Sequence, residues 1–129
     1  MNLLFTIISC IYIAGIFLLA DLATRTQLRT LNLYSLAHIP LYGVLTILLI
    51  LAFRKRKENE TDRMNPPNLI SLLLPCFIAL FVAILDEIHQ ASVPSRDASP
   101  IDVFLDAVGT GLAILLYIHW LRRYHRVIK

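Results

Sequence analysis

The stretch AILDEIHQASVPSRDASPIDVFLDAVG, residues 83–109, decides how the rest of the chain is interpreted. It begins and ends in apolar sequence. Between these ends it carries a dense set of polar side chains, namely Asp86, Glu87, His89, Gln90, Arg96, Asp97, Ser99, Asp102 and Asp106. Ionisable groups at the edge of a membrane-type segment are costly to bury, so they persist mainly where they pair or act. The stretch therefore predicts two apolar helices whose polar junction is a candidate site.

Four apolar segments are long enough to predict helices that cross a membrane. They cover residues 3–20, 33–53, 69–88 and 101–121. The hydrophobic fraction of the chain, 57%, is above that of an average soluble domain. A cleaved signal peptide is the alternative for residues 3–20, but no Lys or Arg precedes this segment and no A-x-A site closes it. We predict one all-α domain, residues 1–129: a polytopic membrane protein with a four-transmembrane-helix bundle.

The basic residues predict the orientation of this bundle. Five of the twelve Lys and Arg lie in residues 54–63 and four in residues 122–129, while Arg25, Arg29 and Arg96 stand apart. With four spans, the two basic clusters and both termini share one side, which the positive-inside rule places in the cytoplasm. We predict a cell-membrane protein whose loops 21–32 and 89–100 face outward. The clustering of the basic residues behind the net charge of +3 is therefore a topology signal, and no nucleic-acid partner is predicted.

Three of the predicted helices each carry two polar residues four positions apart, which places each pair on one helix face. At 1.5 Å per residue, all three pairs fall within about one to two turns of the outer interface. This agreement in depth is the main sequence indication of a site. The pairs are His38 with Tyr42, Asp86 with Gln90, and Asp102 with Asp106.

The loop between the third and fourth helices adds to this set. Pro94 and Pro100 bracket it, so we expect a rigid outward turn that places Arg96 over the carboxylates, where Arg binds a carboxylate or a phosphate. Ser99 is a natural N-cap for the fourth helix. Glu87 is adjacent to Asp86 and cannot share its direction, so we expect one of the two to point inward and the other toward the loop or water.

Two patterns together resemble the VanZ-like family of small bacterial membrane proteins. The first is A-H-x-x-x-Y in the second helix; the second is D-E-x-x-Q-x-x-x-P-x-R-x-x-S-x-x-D-x-x-x-D-x-x-G, residues 86–109. The resemblance implies a multi-pass membrane protein with polar residues near the outer face. In that family the position of Asp106 is often Asn, which leaves open whether a charge is needed there. The family takes its name from an accessory protein of glycopeptide resistance clusters, associated with teicoplanin, and a name alone does not transfer that phenotype.

Three functional hypotheses remain open from the sequence. In the first, the site binds a lipid head group or a lipid-linked cell-envelope precursor, with Arg96 and His38 on phosphate and the acidic residues accepting hydrogen bonds. The second is a small membrane enzyme in which Asp86 or Glu87 acts with His38 as general acid and base, with or without a divalent metal held by carboxylates. The third is a purely structural polar network.

No metal site, cofactor or protein partner is assigned. The predicted ligand-binding set is His38, Tyr42, Asp86, Glu87, Gln90, Arg96, Ser99, Asp102 and Asp106.

Overall fold

The computed structural model describes residues 1–25, 33–54, 69–93 and 99–127. Within these ranges all regular secondary structure is helical, so the predicted all-α fold is confirmed for this part of the chain. Four helices are long and one is a single turn. They are α1 (Leu3–Arg25), α2 (Leu33–Leu36), α3 (His38–Phe53), α4 (Leu69–Ser92) and α5 (Pro100–Val127).

Three of these helices have the length and apolarity of membrane spans. The spans are Leu3–Ala20 in α1, Ser71–Ser92 in α4 and Pro100–Tyr124 in α5. Helix α3 is also apolar but has only 16 residues, or about 24 Å, against a hydrocarbon layer of ~30 Å. The segment predicted as one helix over residues 33–53 is therefore present as two pieces, α2 and α3.

The interruption between α2 and α3 has a local cause in Pro40. Ala37 keeps helical dihedral angles, φ −65° and ψ −21°, so the backbone direction changes little there. Pro40 has no N–H and cannot donate to the carbonyl of Leu36, which opens the hydrogen-bond ladder at this point. As the third residue of α3, Pro40 costs that helix nothing, because amides of the first turn have no intrahelical partner. The ladder resumes where the Leu41 amide donates to the carbonyl of Ala37 at 3.1 Å.

The other helices run past the ends of their apolar segments. Helix α1 continues to Arg25, α4 to Ser92 and α5 to Val127, four to six residues beyond the predicted limits. The added residues contain no Gly or Pro, so nothing in them stops a helix. Hydropathy marks where the membrane-like sequence ends, whereas backbone hydrogen bonding decides where the helix ends. The residues from His89 to Ser92, predicted as loop, therefore belong to α4.

Helices α1 and α3 pack side by side in opposite directions. The Asn2 amide at the start of α1 donates to the carbonyl of Ala52 near the end of α3, at 2.7 Å. Further along, the Tyr12 hydroxyl donates to the carbonyl of Leu41 at 3.1 Å, near the start of α3. Helix α3 contacts each of the other three long helices, and its contacts with α1 and α5 are the two most extensive in the described bundle.

Helices α3 and α5 run in the same direction and form the most extensive helix contact. His38 at the start of α3 lies beside Asp106, and Thr46 two turns later donates to the hydroxyl of Thr110 at 3.2 Å. Near the C-terminal end of α4, Glu87 contacts Ser99, the residue just before α5. The first turns of α3, the last turns of α4 and the first turns of α5 therefore meet at one end of the bundle.

The close approach of α3 and α5 depends on Gly109. A Cβ atom at Gly109 would overlap the carbonyl oxygen of Ile39 and lie only 2.9 Å from its carbonyl carbon. Gly43 faces the same contact, since its Cβ position is 3.4 Å from the carbonyl oxygen of Gly109. Small residues at such crossings let two helix backbones come together. Gly111 lies outside this contact, because a Cβ there would meet nothing within 4 Å.

The distribution of polarity in the folded chain is inverted relative to a soluble protein. Large apolar side chains cover the outside of α1, α4 and α5; examples are Ile11, Phe81 and Leu116, each more than three-fifths exposed. Polar side chains are buried between the helices: Ser9, His38, Thr46, Asp86, Glu87, Gln90, Asp102, Asp106 and Thr110. An apolar exterior of this extent suits a lipid environment. The chain is accordingly a membrane protein.

Candidate functional site

Eight of the nine residues predicted from the sequence lie together at one end of the bundle. Seven are buried and Ser99 is half-buried. Arg96, the ninth, lies outside the residues that the structure describes. We call the eight residues the polar cluster: His38, Tyr42, Asp86, Glu87, Gln90, Ser99, Asp102 and Asp106.

The contact between α3 and α5 is a buried imidazole–carboxylate pair. His38 Nδ1 lies 2.9 Å from Asp106 Oδ1, and the two side chains are only 6% and 0% exposed. One turn further along α3, the Tyr42 ring lies parallel to the imidazole, with centroids 6.3 Å apart and an interplanar angle of 3°. The spacing of four residues on α3 places both rings on the face turned to α5. The enzyme hypothesis paired His38 with Asp86 or Glu87, whereas in the structure its hydrogen-bond partner is Asp106.

Helix α4 holds its own polar residues through two further contacts. Gln90 Nε2 donates to Asp86 Oδ2 at 2.7 Å, one turn apart on the same face. Glu87 Oε2 accepts a hydrogen bond from the backbone amide of Ser99, also at 2.7 Å. Glu87 thus points toward the start of α5, but it is buried rather than in water. This contact joins the end of α4 to the beginning of α5 across the intervening loop.

Several oxygen atoms of the polar cluster are completely buried yet lack a hydrogen-bond partner among the described residues. They are Tyr42 Oη, Glu87 Oε1, Asp102 Oδ1 and Asp106 Oδ2. Leaving a buried polar atom without a partner costs about 1–3 kcal/mol, and more when the group is charged. Native proteins keep few such atoms. Four of them at one place leave hydrogen-bonding positions that the described residues do not fill.

The charges of the polar cluster are unbalanced. Asp106 and Glu87 each interact electrostatically with Asp86 and with Asp102, so the four carboxyl groups form one acidic group. His38 interacts with the same group and is its basic member among the described residues of the polar cluster. Carboxylates that repel one another in a poorly hydrated setting are unfavourable unless a positive group or a proton offsets them. The described part of the polar cluster is therefore acidic overall, with His38 as its basic side chain.

A family model described as VanZ/LLP1 matches residues 3–122, which include every residue of the polar cluster. The chain belongs to the VanZ/LLP1 family. The family resemblance predicted from the two sequence patterns is thereby confirmed. Comparisons with curated proteins and with solved structures each give no significant match.

Two buried residues of this VanZ/LLP1 protein extend the polar cluster and were missed from the sequence. Thr46 donates both to the carbonyl of Tyr42, at 2.8 Å, and to the hydroxyl of Thr110. Thr46 is four residues after Tyr42, and Thr110 is four residues after Asp106. The same spacing that identified the polar pairs therefore continues for one more turn on α3 and on α5. These threonines close the polar cluster on its inner side, above the apolar core.

The geometry of the acidic residues bears on whether a metal ion binds. A divalent cation needs several oxygen ligands at about 2.0–2.6 Å from one point. Among the described residues of this VanZ/LLP1 protein, no three His, Cys, Asp or Glu side chains are placed to hold one metal ion. The carboxyl groups are partly engaged with His38, Gln90 and Ser99.

Proposed function

We propose that this VanZ/LLP1 protein binds the head group of a membrane lipid or of a lipid-linked cell-envelope precursor at the polar cluster. The observation that carries the proposal is the set of buried oxygen atoms without partners, at Tyr42, Glu87, Asp102 and Asp106. A structural network alone would be expected to satisfy its own members, because a half-satisfied buried network is less stable than an apolar core. In this proposal, a ligand supplies the hydrogen-bond partners of these oxygen atoms.

The position of the polar cluster favours a lipid over a soluble ligand. Ile88 and Ile101 are both exposed and lie next in sequence to Glu87 and Asp102 of the polar cluster. A lipid whose head group contacts the polar cluster can thus lay its acyl chains along the apolar outside of α4 and α5. Arg96, in the loop between these helices, is proposed to contact a phosphate of the same head group, as its sequence position suggests. If the ligand is a cell-wall precursor, this binding would also link the protein to the glycopeptide resistance clusters from which the family takes its name.

The proposed sidedness places the polar cluster on the outer face and both termini in the cytoplasm. Nine of the twelve Lys and Arg lie in residues 54–63 and 122–129, which this orientation keeps inside. A reporter fused after Lys129 is expected to behave as cytoplasmic: green fluorescent protein fluoresces there, and alkaline phosphatase is inactive. A phosphatase inserted after Ser95 is expected to be active. The opposite pattern at both positions would place the polar cluster on the cytoplasmic face.

The binding proposal predicts that two variants lose a lipid while the fold survives. Tyr42→Phe removes a buried hydroxyl without a partner, so we expect thermal stability in detergent to be unchanged or slightly raised. Asp102→Asn keeps the volume and removes the charge. In native mass spectrometry, wild type is expected to retain a lipid that both variants lose. Tyr117→Phe, a buried tyrosine in the core far from the polar cluster, is the matched control and should retain the lipid.

The same measurement distinguishes the alternatives. Equal lipid retention by wild type, Tyr42→Phe and Asp102→Asn would contradict the binding proposal. Unstable variants, with no lipid in any form of the protein, would mean that the polar cluster serves only to hold the helices together.

A second candidate function, a small membrane enzyme, is favoured by the contact between His38 and Asp106. A carboxylate that orients an imidazole is the arrangement of a general base, and the 2.9 Å contact has the required geometry. Wild type incubated with lipid would then yield a lipid of changed mass, and His38→Gln would not. Unchanged lipid masses over long incubation would leave binding as the function.

A further inference from the structure

We propose that the polar cluster selects head groups that carry a primary ammonium group. The inference rests on the lipid-binding function proposed above and names the chemistry that the site recognises. It follows from three properties of the described residues: which hydrogen-bonding atoms are open, how the charges balance, and where the apolar surface adjoins the polar cluster.

The open atoms of the polar cluster are mainly acceptors. Glu87 Oε1, Asp102 Oδ1 and Asp106 Oδ2 are buried carboxyl oxygens without a partner among the described residues. Two of the donors beside them are already engaged, since Gln90 Nε2 donates to Asp86 and the Ser99 amide donates to Glu87. A ligand that fits these atoms must supply several N–H or O–H donors. A phosphate, which supplies only acceptors to three carboxylates, does not fit them.

Tyr42 gives an independent indication that a molecule belongs at this place. Its side chain is fully buried, and its hydroxyl has no hydrogen-bond partner in the described part of the chain. The hydroxyl also lies within electrostatic range of Asp86, Asp106 and Glu87, and the ring is parallel to the His38 imidazole that contacts Asp106. An aromatic ring with an oxygen at its edge, placed beside carboxylates, suits a cation that is both hydrogen-bonded and in contact with a ring.

The charge balance selects an ammonium over an uncharged donor such as a sugar hydroxyl. Four carboxyl groups interact with one another, and His38 is the basic member of the polar cluster that faces them. A cation placed among them offsets their repulsion, whereas a neutral polyol does not. A primary ammonium presents three N–H donors in a tetrahedral arrangement, which matches the three open carboxyl oxygens in number.

The surroundings indicate that this ammonium belongs to a lipid. Exposed apolar side chains flank the polar cluster on both helices that carry its acidic residues: Ile84 and Ile88 on α4, Ile101 and Phe104 on α5. A soluble amine gains nothing from this surface. An amine attached to acyl chains is held beside the polar cluster by the burial of those chains, which is the expected source of most of the affinity.

The test compares lipids that share a phosphate and acyl chains and differ only in the alcohol esterified to the phosphate: ethanolamine, choline or glycerol. The full chain, purified in detergent, is offered equal amounts of dioleoyl phosphatidylethanolamine, phosphatidylcholine and phosphatidylglycerol, and retention is measured by native mass spectrometry. We expect phosphatidylethanolamine to be retained at least about tenfold more than the other two, a factor that corresponds to about 1.4 kcal/mol and is within reach of one hydrogen bond between charged groups. Asp102→Asn is expected to lose the bound phosphatidylethanolamine, and Tyr117→Phe, the control used above, to keep the preference.

Two further ligands test where the amine must come from, and the possible outcomes separate failure of the ammonium inference from failure of the lipid-binding proposal. Lysyl-phosphatidylglycerol should bind if any lipid-borne primary ammonium suffices, and water-soluble glycerophosphoethanolamine should not bind if the acyl chains are needed. Equal retention of the three phospholipids, lost in Asp102→Asn, would leave the lipid-binding function standing and overturn the ammonium inference. A preference for phosphatidylcholine, whose trimethylammonium group has no N–H, would also overturn it. No lipid retained by wild type would overturn both.

Discussion

Replacing Gly109 with alanine is expected to destabilise the protein more than any other substitution of one methyl group. The new Cβ would overlap the carbonyl of Ile39, and backbone atoms of α3 cannot move aside as a flexible side chain can. Overpacking a tight contact typically costs about 1–3 kcal/mol, occasionally more. The helices must separate to admit the methyl group, which also lengthens the contact between His38 and Asp106 one turn away. Thermal unfolding in detergent, followed by circular dichroism, measures the loss.

The matched control is Gly111→Ala, two residues further along the same helix. A Cβ at this position meets nothing within 4 Å, so the substitution adds only the higher helix propensity of alanine. We expect no loss of stability, and a gain of up to about 1 kcal/mol. Opposite signs at the two positions would establish that the α3–α5 contact is as close as described. Equal effects at both glycines would show that it is not.

Replacing His38 with leucine is the second substitution with a large expected effect. It removes the hydrogen-bond partner of Asp106, a side chain with no exposed surface, and leaves a carboxyl group buried without compensation. Breaking a buried pair from one side typically costs about 3–5 kcal/mol, because the remaining group keeps its desolvation penalty. We expect a much lower unfolding midpoint for His38→Leu than for wild type.

A double-mutant cycle separates the interaction energy of His38 with Asp106 from the energy of the packing around them. The variant with both His38→Leu and Asp106→Ala should be more stable than His38→Leu alone, because no carboxyl group is then left behind. If the two single effects simply add, the side chains are not coupled and the pair is not formed. Asp106→Asn is informative beside this cycle, because Asn retains hydrogen-bonding capacity without the charge.

Much of the fold follows from the sequence because the signals involved are local. Apolar segments of about twenty residues predict helices, and polar residues four apart, such as His38 with Tyr42, share a helix face wherever that helix packs. The helix ends were predicted less well, since hydropathy does not report where hydrogen bonding stops. The interruption at Ala37 shows this: Pro40 was visible in the sequence, but its position in the first turn of a new helix was not.

The pairings within the polar cluster were not predictable, because they depend on how the helices rotate and slide against one another. Sequence spacing brings His38, Asp86 and Asp106 to one depth, but it does not decide which carboxylate reaches the imidazole. That choice follows from the contact at Gly109, which fixes the distance and register between α3 and α5. The ligand-binding role of these residues remains a prediction that the variants above test.

The length of α5 places two distant groups on one continuous helix. Its 28 residues extend about 42 Å, which is more than a hydrocarbon layer of ~30 Å requires. The first turns carry Asp102 and Asp106, and the far end carries the stacked rings of Trp120 and Tyr124, 5.7 Å apart. Because no break separates them, a change of tilt at one end of α5 would also displace the basic residues near its other end.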